Sequence, residues 1–179
     1  MANTYTLHVA GLTRELPLCP LNEHLDIAAF IMFSDVELTV ACAKALLEKV
    51  PDFDVILTAE AKGIPLAYEM SRQSGKRYIP ARKGAKLYMS SPVIVEDISI
   101  TTQAVQKLVI DQPDLDYMDG KRILIVDDVI STGGSLHALE TLAAKSKGTI
   151  AARAAVLAEG DAAQRGDIIF LEPLPLFPK

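Results

Sequence analysis

The sequence predicts an α/β domain with a mostly parallel central sheet flanked by helices, and two observations support that prediction. Short apolar runs of strand length, such as Ile123–Val126, alternate with segments whose apolar residues recur at helical spacing. Half of the 179 residues are apolar and 23% are charged, which is typical of a globular protein with a proper core. No change in composition divides the chain, so we expect residues 1–179 to form a single domain.

Helix caps and helix-breaking residues define the elements expected in the first half. Ser34, with Glu37 three residues later, fits a capping box, and the helix that follows should end before Pro51. Gly75 should end a second helix. The remaining predictions for this half are a buried strand, that second helix and another strand: Asp54–Ala59, Ile64–Ser74 and Arg77–Arg82.

Residues 84–119 are the least regular part of the chain. Val93–Thr102 and Gln106–Ile110 are rich in β-branched residues, which predicts a β-hairpin or a mobile arm. Arg122–Val126, which is continuously apolar from Ile123 onward, predicts the central parallel strand. The tail, Glu172–Lys179, holds three prolines and should not continue a strand. A helix and two strands complete the prediction: Ser135–Ser146, Ile150–Ala158 and Asp167–Leu171.

Composition and charge exclude several classes of protein. The net charge of −5 argues against duplex nucleic-acid binding, which depends on a basic surface. The longest apolar stretches are far too short to cross a bilayer, and the N-terminus has no signal-like apolar core. Cys19 and Cys42 make neither a disulfide framework nor a zinc site, so we expect reduced thiols. A cytoplasmic protein without a nucleic-acid or membrane partner is predicted.

The stretch from Ile123 to Ser135 combines features that suit a phosphate group beside a sugar. An apolar strand delivers Asp127 and Asp128 to its carboxyl end, where open α/β sheets bind ligands. A glycine-rich and hydroxyl-rich turn follows and starts a helix, whose first amides have no partner within the helix. Paired carboxylates accept hydrogen bonds from a diol and attract hard cations. The phosphate-binding candidates are Ser131, Thr132, Gly133, Gly134 and Ser135.

Over Ile123–Ser135 the chain resembles the type I phosphoribosyltransferase family, whose signature is an apolar strand, two acids, two variable residues and a Ser/Thr–Gly-rich loop. The resemblance implies that this loop binds the 5-phosphate of 5-phosphoribosyl-1-pyrophosphate (PRPP) and that Asp127 and Asp128 hold the ribose hydroxyls. It also implies Mg²⁺ as cofactor, held through PRPP oxygens. Asp127 or Asp128 would contact the ion through water, and no direct metal ligand is assigned.

Two further stretches resemble adenine phosphoribosyltransferases. Glu60–Gly63 is similar to their Glu-Ala-Arg-Gly pyrophosphate loop, although its Lys-Gly pair also resembles the hypoxanthine–guanine enzymes. Arg82–Leu87 is similar to their Arg-Lys-x-x-Lys-Leu run, which reaches pyrophosphate partly across a dimer interface. A homodimer is therefore implied. The pyrophosphate-binding residues implied by both stretches are Ala61, Lys62, Gly63, Arg82, Lys83 and Lys86.

The family resemblance also implies a layout for the domain. A small hood over residues 1–33 would cover the purine, a core would span residues 34–171, and the mobile arm would lie within residues 84–119. In the hood, Arg14, Leu16, Phe30 and Phe33 are candidates for contact with the base, while Phe30 and Phe33 also fit a core role.

The function implied is purine salvage: transfer of phosphoribosyl from PRPP to a purine base, with adenine favoured. Thr101 stands where adenine enzymes carry an arm glutamate, and the surrounding stretch is closer to bacterial xanthine enzymes, so the catalytic acid stays unknown. Xanthine or another purine, and a non-catalytic PRPP-binding regulator, remain as alternatives. The chain lacks the G-x-G-x-x-G of dinucleotide enzymes and the Gly-Lys-Ser/Thr of nucleoside triphosphatases.

Overall fold

The computed structural model describes residues 3–98 and 105–179. A short 3-10 helix, Gly160–Gln164, lies between the strands Thr149–Glu159 and Ile169–Leu174. In chain order the elements are β1 (Thr4–Val9), β2 (Leu12–Asn22), β3 (Leu25–Ala28), α1 (Val36–Leu47), β4 (Val55–Ala59), α2 (Gly63–Ser74), β5 (Arg77–Ala81), β6 (Pro92–Ile98), β7 (Val105–Asp111), α3 (Gln112–Tyr117), β8 (Arg122–Ile130), α4 (Gly134–Ala143), β9 (Thr149–Glu159), β10 (Ile169–Leu174) and β11 (Phe177–Pro178).

Five parallel strands form the central sheet in the order β10-β9-β8-β4-β5, which confirms the predicted fold class. Helices α1 and α2 pack on one face, while α4 and the β6–β7 hairpin pack on the other. Because both faces are covered, β4 is buried along its whole length, and Thr58 is its one polar residue. The middle strand, β8, therefore delivers its carboxyl end to the centre of the sheet edge.

A second sheet holds four antiparallel strands in the order β1-β2-β3-β11. Its last strand comes from the C-terminal tail, and the rings of Tyr5 and Phe177 meet edge to face with centroids 5.3 Å apart. The prediction that the tail forms no strand is wrong. Strand β10 continues through Pro173, and β11 includes Pro178. Both strands lie at sheet edges, where a missing N–H leaves no neighbouring strand unpaired.

The first helix has a different cap from the one predicted. Ser34 lies in the left-handed region with φ of 68°, and the N-cap is Asp35, whose carboxylate accepts from the Leu38 N–H at 3.0 Å. Glu37 reaches Arg14 Nη2 at 2.8 Å instead of closing the capping box. Arg14 also pairs with Asp35 at 2.7 Å, so one guanidinium joins strand β2 to the start of α1.

The hairpin predicted in the arm region is present as β6 and β7, paired antiparallel from Pro92 with Asp111 to Ile98 with Val105. The residues that connect the two strands, 99–104, include Thr101 and lie outside the described part of the chain. No helix among the described residues is long and apolar enough to span a membrane.

Candidate functional site

A cavity of about 890 Å³ opens at the carboxyl end of the parallel sheet. Its size falls within the range of small-ligand sites. Its lining residues include three kinds: apolar residues of β3, of the segment that follows β3 and of β10; acids near the ends of β8 and β9; and lysines from the loops after β4 and β5 and from β7. These lining residues are Ile27, Ala28, Ala29, Phe30, Ile31 and Leu174; Asp127, Asp128 and Glu159; and Lys62, Lys83 and Lys107.

A smaller pocket of about 130 Å³ is formed by the turn between β8 and α4. All five predicted phosphate-binding residues, from Ser131 to Ser135, line it. Gly133 adopts a φ of 86°, a left-handed conformation that L side chains rarely take, and α4 begins at the next residue. The first amides of a helix lack partners within the helix, so this pocket suits an anion. Asp127, Ser131 and Ser135 line both cavities.

The two acids of β8 differ in their surroundings. Asp128 is buried, and its Oδ2 lies 3.0 Å from Lys62 Nζ. The Oδ1 of Asp127 accepts from the Asp128 N–H at 2.9 Å. Burial, followed by the charge of neighbouring Asp128, raises the pKa of Asp127 well above its usual range. The pair thus forms a concentrated acceptor for hydroxyl donors, with the Lys62 ammonium as its counter-charge.

The loop after β4 packs closely against β8, and Gly63 makes this possible. A Cβ on Gly63 would lie 2.3 Å from Thr58 Oγ1 and 3.1 Å from Asp127 Oδ1. Thr58 is fully buried, so it has little room to move. Because Gly63 has no side chain, the loop can approach this closely. Ala61 and Lys62, which line the cavity, therefore lie next to the paired acids.

The basic stretch after β5 is divided between two environments. Lys83 lines the cavity, whereas Arg82 and Lys86 are not among its described lining residues. The Arg82 guanidinium faces Glu60, with Nε 3.2 Å from Oε2, and donates to the Tyr88 hydroxyl at 2.7 Å. Glu60 also accepts from the Lys83 N–H at 2.9 Å. Glu60 and Arg82 therefore join the loop after β4 to the loop after β5.

The Glu60 contacts predict a measurable acid sensitivity. The Arg82 guanidinium, followed by the Lys83 N–H, lowers the pKa of Glu60 from 4.5 to about 2. A lowered pKa stabilises the fold at pH values above 4.5, and the contribution is lost as pH falls toward about 2. We expect Glu60→Gln to lower the free energy of unfolding at neutral pH by about 1 kcal/mol, since the pair is partly exposed.

Melting temperatures measured between pH 2 and pH 7 would check this expectation. Wild type should lose more stability on acidification than Glu60→Gln, while the exposed control Glu23→Gln should behave like wild type. If the melting temperatures of wild type and Glu60→Gln fell equally with pH, the ionised Glu60 carboxylate would not stabilise the fold as expected.

The cavity wall holds two charged residues that the sequence analysis did not single out. Lys107 projects from the hairpin and lies 3.8 Å from Glu96. Glu159 ends β9 and faces the cavity. A signal for Glu159 was present in the sequence, because it directly follows the predicted strand Ile150–Ala158, as Asp127 follows its own apolar run. No comparable local signal marks Lys107.

The residues proposed to contact a base lie in different places. Phe30 is buried and lines the cavity. Leu16 belongs to the core, and Phe33 is 47% exposed. Arg14 is engaged by Asp35 and Glu37.

Comparison with known proteins gives a consistent family result. A family model described as the phosphoribosyl transferase domain matches residues 37–169. The adenine phosphoribosyltransferase of Pseudothermotoga lettingae is 36% identical over 100 residues, which cover 56% of each chain. That of Kosmotoga olearia is 28% identical over 79% of this chain and 76% of its own. The chain thus spans little more than half the length of the first of these relatives.

Solved structures show the same fold. The crystal structure of adenine phosphoribosyltransferase from Thermoanaerobacter pseudethanolicus superimposes with a TM-score of 0.71 at 22% identity, covering 88% of this chain and 95% of that one. The Trypanosoma brucei enzyme in complex with AMP, pyrophosphate and ribose-5-phosphate gives a TM-score of 0.66 at 18% identity, covering 85% and 72%.

Proposed function

The chain belongs to the phosphoribosyl transferase domain family, and from that membership we propose that it is a purine phosphoribosyltransferase acting in purine salvage. It transfers phosphoribosyl from PRPP to a purine, with adenine favoured, and yields the nucleoside monophosphate and pyrophosphate. One observation carries the proposal: an anion pocket adjoins, through shared lining residues, a cavity in which the acid pair and two loop lysines lie beside an apolar wall. Adenine is favoured because the relatives named above are adenine phosphoribosyltransferases.

In this proposal, a different set of residues binds each part of PRPP and the purine. The pocket of residues 131–135 takes the 5-phosphate at the start of α4. Asp127 and Asp128 accept hydrogen bonds from the ribose hydroxyls, and Lys62 exchanges its carboxylate partner for the pyrophosphate. Lys83 supplies a second positive charge on the same side. The apolar wall around Phe30 receives the purine.

The reaction breaks the bond between the anomeric carbon and the pyrophosphate oxygen, and the electron pair leaves with pyrophosphate. A purine ring nitrogen forms the new bond to that carbon and releases its proton to solvent. The chain contributes chiefly by positioning the two reactants and by stabilising the charge on the leaving group. The lysines of the cavity stabilise the negative charge on the leaving pyrophosphate.

The residues of the site fit a magnesium ion held mostly by the substrate. Asp128 Oδ2 is buried and its partner among the described residues is the Lys62 ammonium, 3.0 Å away, so when Lys62 turns to the pyrophosphate this oxygen becomes available to a hard cation or to its water. The described part of the chain contains no group of three or more metal-ligating side chains. Mg²⁺ would therefore be held through PRPP oxygens, with Asp127 or Asp128 contacting it through water. When bound, it neutralises charge on the leaving pyrophosphate.

A homodimer in the cytoplasm is part of the same proposal. Leu87 and Tyr88, next to the basic stretch, are 109% and 70% exposed in the single chain, which supports burial against a second copy. Sedimentation equilibrium would test this, and a monomer at micromolar concentration would overturn it.

A panel of purines tests the reaction. Adenine, hypoxanthine, guanine and xanthine are each incubated with the protein, PRPP and Mg²⁺, and pyrophosphate release is measured. We expect the fastest release with adenine; faster release with xanthine or another purine would reassign the base. The arm offers one observation in favour of a non-catalytic PRPP-binding regulator, because Thr101 occupies the position of the family glutamate. Tight binding of PRPP, without pyrophosphate release in the presence of any of the purines, would establish that alternative.

A further inference from the structure

Glu159 is a cavity acid that the proposed reaction leaves without a role. It ends β9, directly beside Leu174 of β10, with which it is in register. Both residues line the cavity, together with Val129 and the apolar segment Ile27–Ile31. Glu159 therefore lies where the parallel sheet meets the wall proposed to receive the base.

The Glu159 side chain has no hydrogen-bond or ion-pair partner within residues 3–98 and 105–179. Partial burial raises the pKa of Glu159, and the Lys62 charge opposes that shift. A half-buried carboxyl group without a partner carries a desolvation cost, which a donor from a ligand would offset.

The charges of the cavity restrict what that ligand group can be. The anion pocket and Lys62 account for the phosphate and pyrophosphate ends of PRPP, and a carboxylate would repel both. Asp127 and Asp128 already serve the sugar hydroxyls. What remains for Glu159 is an uncharged hydrogen-bond donor on a flat, largely apolar group, which describes the edge of a nucleobase.

We infer that Glu159 is a specificity-determining residue whose carboxylate accepts a hydrogen bond from an exocyclic amino group of the purine, so that the site prefers an aminopurine to the matching oxopurine. This inference rests on the proposed function. An oxopurine would place a carbonyl oxygen against the carboxylate, so two acceptors would face each other. Sites built around such a hydrogen bond discriminate strongly against analogues that cannot make it.

The test uses two nucleotides that share ribose 5-phosphate and differ at the purine edge, AMP and IMP. Calorimetry would measure their binding to wild type, Glu159→Leu and Glu159→Gln, without relying on turnover. We expect wild type to bind AMP at least tenfold more tightly than IMP. Glu159→Leu should weaken AMP binding about tenfold or more without weakening IMP binding, because it also removes the acceptor that opposes the IMP carbonyl. Glu159→Gln adds an amide N–H that can donate to the carbonyl oxygen of IMP. This variant should therefore bind IMP more tightly and show a smaller preference for AMP over IMP.

The matched control is Glu172→Gln, which changes an exposed glutamate on the neighbouring strand outside the cavity and should bind both nucleotides like wild type. Equal weakening of AMP and IMP by both Glu159 variants would overturn the inference, as would a wild type that does not discriminate. In both cases nucleotide binding, and with it the proposed function, would stand. A wild type that binds neither nucleotide nor PRPP would overturn both.

Discussion

Asp128→Asn is expected to lower kcat/KM for phosphoribosyl transfer by about a hundredfold or more, while the protein remains folded. The reason is the environment of the carboxylate: it is buried and 3.0 Å from Lys62 Nζ. Hydrogen bonds to a charged acceptor are about twice as strong as those between neutral groups. An amide would also present donors toward ribose hydroxyls. Because the Lys62 side chain is 52% exposed, its ammonium is hydrated in the variant, and little stability is lost.

Steady-state kinetics with adenine and PRPP, together with thermal melting, would check this result. Asp52→Asn is a matched control, because its side chain is 94% exposed and lies away from the cavity. The control should keep both the activity and the melting temperature of wild type. An Asp128→Asn protein with wild-type kcat/KM would show that this acid does not hold the ribose.

Gly63→Ala is expected to reduce kcat/KM by about a hundredfold and to destabilise the fold by about 1–3 kcal/mol. The added methyl group would lie 2.3 Å from Thr58 Oγ1, far inside van der Waals contact, and 3.1 Å from Asp127 Oδ1. Relief requires the start of α2 and the loop before it to move away from both Thr58 of β4 and Asp127 of β8. That movement displaces Lys62 from the acid pair, so one substitution disturbs both the pyrophosphate side and the ribose side.

Gly166→Ala provides the control for this prediction, since a Cβ there would meet no atom within 4 Å. PRPP binding by calorimetry, alongside kinetics and melting curves, would separate lost binding from lost folding. Unchanged PRPP affinity in a folded Gly63→Ala protein would show that the close approach of Gly63 to Thr58 and Asp127 is dispensable.

The features predicted correctly from the sequence are those that depend on neighbouring residues. The apolar run from Ile123 identifies the central strand without reference to the rest of the chain, and Gly75 ends α2 in a left-handed conformation as expected. The glycine-rich turn and its adjoining acids were likewise apparent, because strand, turn and helix follow each other directly. The structure places these residues around connected cavities.

The errors arise where distant parts of the chain decide the outcome. Asp35 rather than Ser34 caps α1, and Arg14 from another strand holds its carboxylate. Pro173 is accommodated because β10 is an edge strand, which depends on sheet order and not on local sequence. Periodicity and turn signals carry no information about such pairings.

The pairing of β3 with β11 has a consequence for how the protein is made. Asp26 and Phe177 are partners in this sheet, so the strand that completes it is translated after every other strand of the two sheets. The turn at residues 131–135 and the acids before it are translated earlier. A nascent chain therefore contains the residues of the 131–135 pocket before it can pair β3 with β11 and complete the sheet next to the apolar wall of the cavity.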